Sequence, residues 1–230
     1  MTDFAQNLSS IRYKIQDACQ AAGRPSSHVN LLAVSKTKPA EQVRAVAALG
    51  QTHFGENYLQ EALDKQAALA DLDLVWHFIG PIQSNKTRPI AESFAWVHSV
   101  DRAKIAQRLS DQRPAHMPPL QVCIQVNISE EDSKSGCLPA DVAKLASTIE
   151  ALPNLNLRGL MAIPKATDNP VEQAAAFNKM QTLLTELKSQ LADNKQLDTL
   201  SMGMSGDMGT AIAAGSTIVR IGTALFGARG

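Results

Sequence analysis

Leu31-Leu32-Ala33-Val34-Ser35-Lys36-Thr37-Lys38-Pro39, followed by a helical pattern over residues 40–49 and a second apolar run at 52–54, decides the fold. A short apolar run closed by polar residues reads as a strand buried on both faces, and the helix behind it can cross over to a parallel neighbour. The same unit recurs along the chain. Candidate strands lie at 31–35, 52–54, 74–79, 96–99, 120–127, 157–163, 199–202 and 218–221, and helical patterns such as 102–109, 140–151 and 171–191 fill the gaps. Eightfold alternation of strand and helix predicts a (β/α)8 TIM barrel. An open doubly wound sheet is the alternative, but the Gly-rich fingerprint expected after its first strand is missing. With no linker or low-complexity segment in view, residues 1–230 are expected to form a single domain.

Ahead of this repeat, Phe4, Leu8, Ile11, Ile15 and Cys19 recur at steps of four and three, which puts them on one face of an extra N-terminal helix. Gly23-Arg24-Pro25-Ser26-Ser27 ends it. The 230 residues are 44% hydrophobic and carry 22 basic against 22 acidic side chains, a balance that suits neither nucleic acid nor an anionic membrane. No apolar stretch approaches the roughly 20 residues needed to cross a bilayer. Met1-Thr2-Asp3-Phe4-Ala5-Gln6 lacks the basic start and hydrophobic block of a secretion signal, so a cytoplasmic location is expected. Cys19, Cys123 and Cys137 are odd in number and far apart, which reads as reduced thiols.

In such a barrel the functional positions are the C-terminal ends of the strands and the loops behind them. Lys36 closes the first run, and a lysine sheltered in the barrel mouth loses basicity by desolvation, leaving an amine able to form an imine. The plain alternative is a rim lysine that lays its stem on the barrel and keeps its charge in water. Loops after the seventh and eighth strands commonly make a phosphate site, and here residues 201–207 and Gly222-Thr223 are rich in Gly, Ser and Thr. Small residues admit backbone N–H groups to an anion, and the helix start after Ser205 adds its positive dipole end. A simple helix N-cap and a tight turn are the alternatives there. Arg220 can only donate hydrogen bonds, so a pyridine nitrogen facing it must accept and the ring stays neutral, a weak carbanion stabiliser. A surface or ion-paired arginine is the other reading. Lysine opposite a Gly/Thr cradle reads as a site for pyridoxal 5'-phosphate (PLP).

Leu32-Ala33-Val34-Ser35-Lys36-Thr37-Lys38-Pro39, His53-Phe54-Gly55-Glu56-Asn57, His77-Phe78-Ile79-Gly80-Pro81-Ile82-Gln83-Ser84-Asn85-Lys86, Leu200-Ser201-Met202-Gly203-Met204-Ser205 and Arg220-Ile221-Gly222-Thr223 together resemble the pyridoxal phosphate homeostasis protein family. These proteins are similar to the N-terminal barrel of alanine racemase, and the resemblance runs over essentially the whole chain. It implies that Lys36 holds PLP as a Schiff base and that Arg220 faces the pyridine nitrogen. It further implies that Gly222 and Thr223, with Ser201 or Ser205, hold the phosphate, while Asn57 and Ser84 make lesser cofactor contacts. The family is similar to a buffer that stores PLP, delivers it to apoenzymes through transient contact and affects vitamin B6 and amino-acid balance. It has no established turnover, so no catalytic residue is expected, and the chain is expected to be a monomer.

Two other functions compete. A PLP-dependent amino-acid racemase needs acid/base groups on both faces of the substrate α-carbon. The chain, ending at Gly230, is expected to carry no second domain to supply one, and its tyrosines are Tyr13 and Tyr58. A cofactor-free Schiff-base aldolase acting on a phosphorylated sugar would use Lys36 and the cradle but leave Arg220 without a role. The histidines His28, His53, His77, His98 and His116 show no short metal-binding spacing, so no metal is expected. His77 and His98 read as hydrogen-bonded core histidines, with the barrel mouth as the alternative. Met202, Met204 and Met208 read as packing, and Glu130-Glu131-Asp132 as a solvated acidic turn.

Overall fold

The computed structural model describes residues 2–131, 134–191 and 196–228. Asp132 of the acidic turn and the terminal residues Met1, Arg229 and Gly230 lie outside them. Eight described strands, β1 (Asn30–Val34), β2 (His53–Glu56), β3 (Val75–Phe78), β4 (Trp96–Val100), β5 (Leu120–Gln125), β6 (Leu155–Met161), β7 (Thr199–Ser201) and β8 (Ile218–Ile221), close into a barrel. Every neighbouring pair is parallel, and β8 returns to β1 with Ala33 opposite Ile221. The helices are α1 (Phe4–Ala21), α2 (Ala40–Ala47), α3 (Leu59–Ala68), α4 (Thr87–Ser93), α5 (Ala103–Gln112), α6 (Val142–Glu150), α7 (Pro170–Gln190), α8 (Met208–Ala213) and α9 (Thr223–Phe226). The alternation read from the sequence is therefore the TIM barrel, with α1 added in front.

Local chemistry starts and stops these elements. The Asp3 side chain caps α1 by accepting from the Gln6 N–H at 2.9 Å, and Asn169 caps α7 with Pro170 at its first position. Boundaries shift where pairing overrides composition. The fifth apolar run continues to Asn127, but the strand ends at Gln125, where Cys137 comes alongside: its N–H donates to the Gln125 carbonyl, its carbonyl accepts from the Asn127 N–H, and it bridges Val126. Two residues before the end of β6, Gly159 has φ +151°, and a side chain there would collide with the Thr199 carbonyl. Only glycine allows that close approach to β7.

Two cores result. Phe54, Phe94, Val97, Val122, Ile149 and Phe177 belong to the layer between barrel and helices, each essentially inaccessible to water. Burial of side chains of this kind contributes about 1.5–3 kcal/mol apiece. Leu8, Ile11, Ile15 and Cys19 bury the inner face of α1, and Phe4 meets Phe226 of α9 edge to face at 6.0 Å. The second core is inside the barrel: a small apolar cluster of Leu32, Val34, Ile79 and Ile218, accompanied by the buried polar side chains of His77, His98, Ser201 and Arg220. That polar interior supports the site above it.

Candidate functional site

Lys36 leaves β1 in a turn at the C-terminal rim and is half-buried. Both of its neighbours are tied to one buried cluster. Ser35 donates its hydroxyl to Glu56 Oε1 at 2.6 Å, and the Ser35 carbonyl accepts from Lys65 Nζ at 2.6 Å. On the other side the Thr37 N–H donates to Glu61 Oε1 at 2.5 Å, and Lys65 Nζ bridges Glu56 and Glu61 at 2.7 and 2.6 Å. Thr37 sits at φ +63°, a left-handed conformation that a β-branched residue adopts only when its surroundings impose it. The Lys36 backbone is thus clamped in front and behind.

The clamp rests on an ion pair sealed from water, with the Lys65 and Glu56 side chains 5% and 0% exposed. Burial pushes the Glu56 carboxyl up, and the hydrogen bonds from Lys65 and Ser35 pull it back down. Its Oε2 has no partner among the described residues, and neither does the buried Oδ1 of Asn57 next to it. Asn57 follows β2 directly, and Gly80 after β3 is bare because a side chain would strike the Asn57 carbonyl. Ser84 begins the short 3-10 turn Ser84–Lys86 on the same rim, its carbonyl accepting the Thr87 hydroxyl at 3.1 Å.

Gly222 follows β8 beside the end of β1, where an added Cβ would lie 3.2 Å from the Val34 carbonyl. Thr223 opens α9 exposed to solvent, and its N–H precedes the first bonds of that helix, which run from Leu225 and Phe226 to the Gly222 carbonyl. Ser205 is exposed in the turn before α8. In that loop Asp207 already accepts the Met204 N–H at 2.5 Å, so this amide is not a free donor for an anion.

Arg220, on β8, points into the barrel and is 5% exposed. One guanidinium nitrogen donates to the Ser201 carbonyl and to Ser201 Oγ, the latter at 2.9 Å, and another donates to the Ala162 carbonyl at 2.9 Å. Desolvation pushes its pKa down to about 10, so it keeps its charge at neutral pH. Ser201 ends β7 beside it. Its hydroxyl, expected at a phosphate, is fully buried between Arg220 and His98 Nδ1, which lies 2.8 Å away. Inward and outward positions alternate along a strand, and Ser201 falls on the inward one. His77 and His98 are interior, hydrogen-bonded core histidines.

The structure brings Lys36, Asn57, Ser84, Ser205, Arg220, Gly222 and Thr223 to one end of the barrel, with Lys36 and Gly222 on adjacent strand ends. Glu56, Glu61 and Lys65 had no role assigned from sequence. Their available signal was Glu61 and Lys65 four apart in α3, an ordinary helix pair until burial makes it a clamp.

The family described as alanine racemase, N-terminal domain, matches residues 6–230. The chain is 63% identical over 229 residues to a pyridoxal phosphate homeostasis protein of Pseudomonas aeruginosa, covering 100% of this chain and 97% of that one. It is 52% identical over 232 residues to the protein of that name from Escherichia coli, covering 100% and 98%. Among solved structures, PipY of Synechococcus elongatus without PLP superposes with a TM-score of 0.87 at 40% identity, covering 98% of this chain and 100% of PipY. PipY with PLP bound superposes at 0.84 and 39% identity over the same shares. Alanine racemase of Corynebacterium glutamicum shares the fold, with a TM-score of 0.71 at 18% identity over 96% of this chain and 62% of the racemase.

Proposed function

Because this chain belongs to the pyridoxal phosphate homeostasis protein family, we propose that it binds PLP, attaches it covalently through Lys36, and stores and delivers it to apoenzymes in the cytoplasm. The observation that carries the reading is the rim itself: a lysine clamped at both neighbours beside Gly222-Thr223, with a donor-only guanidinium buried below. These residues suit the group. Asn57 Oδ1 is a buried acceptor lacking a partner among the described residues, Arg220 offers N–H groups to a ring nitrogen, and Thr223, exposed to solvent at the start of α9, offers its hydroxyl and N–H as phosphate donors. Ser205 and Ser84 would add outer contacts, while Ser201 acts through Arg220 instead of touching the phosphate.

When bound, PLP supplies an aldehyde for the lysine amine and a ring able to draw electrons. The chain supplies the rest. A permanently charged Arg220 cannot accept a proton from the ring nitrogen or hand one to it cheaply, which leaves the ring a poor carbanion sink. Holding and releasing the cofactor then matter more than turnover. In our reading residues 1–230 form one domain, one chain suffices, and the cofactor would leave when a primary amine, such as a lysine of a recipient enzyme met in transient contact, takes over the imine from Lys36, which departs as its free amine.

The test is an absorbance spectrum of the purified protein with PLP, before and after borohydride, followed by peptide mapping. A visible band that borohydride removes, with the reduced adduct on Lys36, is the expected result. No band, or an adduct on Lys38 or Lys86, would overturn the assignment. Incubation with L-alanine in deuterium oxide should give little α-proton exchange, whereas rapid exchange with D-alanine formation would favour a racemase.

A further inference from the structure

The barrel interior holds a chain of polar groups longer than the support of one arginine requires. His98 Nδ1 lies 2.8 Å from Ser201 Oγ, His77 Nδ1 lies 2.9 Å from His98 Nε2, and His53 Nδ1 lies 2.9 Å from His77 Nε2. His53 in turn lines a cavity of about 390 Å3 at the opposite, N-terminal end of the barrel, with Arg24, Arg158, Asp198 and Thr217 among its walls. The string of side chains therefore runs from the rim site to the far face.

Its direction follows from elementary hydrogen-bond chemistry. A guanidinium only donates, so Ser201 Oγ must accept from Arg220. Among the described residues the serine hydroxyl has one other partner, His98 Nδ1. Its oxygen has a second lone pair and could accept there too, but donating to His98 is the arrangement that leaves no buried hydrogen of the string without an acceptor, and we take that direction. His98 must then carry its proton on Nε2 and donate to His77 Nδ1. His77 repeats the pattern toward His53 Nδ1, which leaves the His53 Nε2–H as the terminus beside the basal cavity. Each ring is neutral in this arrangement, because a second proton would put two hydrogens into one N···N contact at His77 or His53, and into the contact with the Ser201 hydroxyl at His98. Burial pushes all three histidines below their ordinary pKa, in agreement with that inventory.

We propose that Ser201, His98, His77 and His53 form a one-way hydrogen-bond relay, oriented by Arg220, that couples the cofactor-ring end of the barrel to the basal cavity. The four are positioning residues: they hold Arg220 in place and carry any change in its hydrogen bonding to His53. The coupling to a cofactor rests on the reading that Arg220 meets the PLP ring, whereas the relay itself does not.

Nitrogen-15 NMR of the histidine rings separates the two. In the protein freed of cofactor, His53, His77 and His98 should each show a protonated Nε2 and a bare Nδ1 near neutral pH. A protonated Nδ1 on any of the three would overturn the relay. Ser201→Ala should abolish the single tautomer at His98 and shift the His53 resonances, while His116 stays unmoved. Ser201→Thr, which retains the hydroxyl, should restore them. Unchanged His53 resonances in folded Ser201→Ala would refute propagation along the chain. Should Ser201→Ala fail to fold, the native tautomers still decide the orientation, and PLP addition tests the coupling. His53 should shift as the Lys36 absorbance band develops, and a band without a His53 shift sinks the coupling. Native tautomers as expected with no PLP bound would leave the relay standing and remove the proposed function instead.

Discussion

Acidification should destabilise this protein through the barrel interior, and His98 allows the size to be worked out. Burial, with the Arg220 charge beside it, lowers its pKa from 6.5 to about 3. A group depressed on folding takes up its proton first in the unfolded chain, so between those values the unfolded state binds more protons. The stability contributed is complete above about pH 6.5 and lost progressively as pH falls toward about 3. At about pH 5 an unfolded histidine of pKa 6.5 has gained roughly 1.5 units of protonation free energy, which at 1.36 kcal/mol per unit is about 2 kcal/mol for His98 alone. His77 and His53 are shifted in the same direction and add to the loss. Urea denaturation at about pH 8 and about pH 5 measures the difference, with His98→Gln as the comparison because it retains polar groups but cannot titrate. The wild type should lose about 2 kcal/mol more than the variant over that interval. Equal losses would mean that His98 titrates normally in the folded state, and the neutral, one-way arrangement of the interior would be wrong.

Lys36→Ala should abolish the visible band of the PLP-loaded protein while leaving the thermal transition close to that of the wild type, as read by absorbance and circular dichroism. Lys65→Met removes one partner of a sealed ion pair and should cost about 3–5 kcal/mol in urea denaturation; Lys65→Met combined with Glu56→Gln should recover part of it. Replacing Thr223 by a bulky apolar residue should weaken PLP more than pyridoxal in an equilibrium titration, since only PLP carries the anion. Gly222→Ala is a harsher change, because its Cβ meets the Val34 carbonyl at 3.2 Å and disturbs the β1–β8 junction for both ligands.

What could be read from the chain alone was what local periodicity encodes. Parallel strands buried on both faces leave continuous apolar runs, their crossovers leave 3.6-residue patterns, and eight such units in a row limit the architecture before any coordinate is known. The rim residues were legible for the same reason: in this fold function sits where a strand run ends, and Lys36, Asn57 and Gly222-Thr223 stand at those ends in sequence. Which way a strand residue faces, and what it meets across the barrel, is another matter. Ser201 reaches His98, 103 positions away, and His98 reaches His77, 21 positions away, because barrel closure and strand stagger set side chains from different strands at one level. Lys65 reads as one half of a surface helix pair until α3 lays it over the ends of β1 and β2 and excludes water. The hydrogen-bond chain joins residues that no window of sequence contains together, whereas the clamp pairs Lys65 with Glu56 and Glu61 only 9 and 4 positions away, and what local sequence does not contain is the burial that seals it.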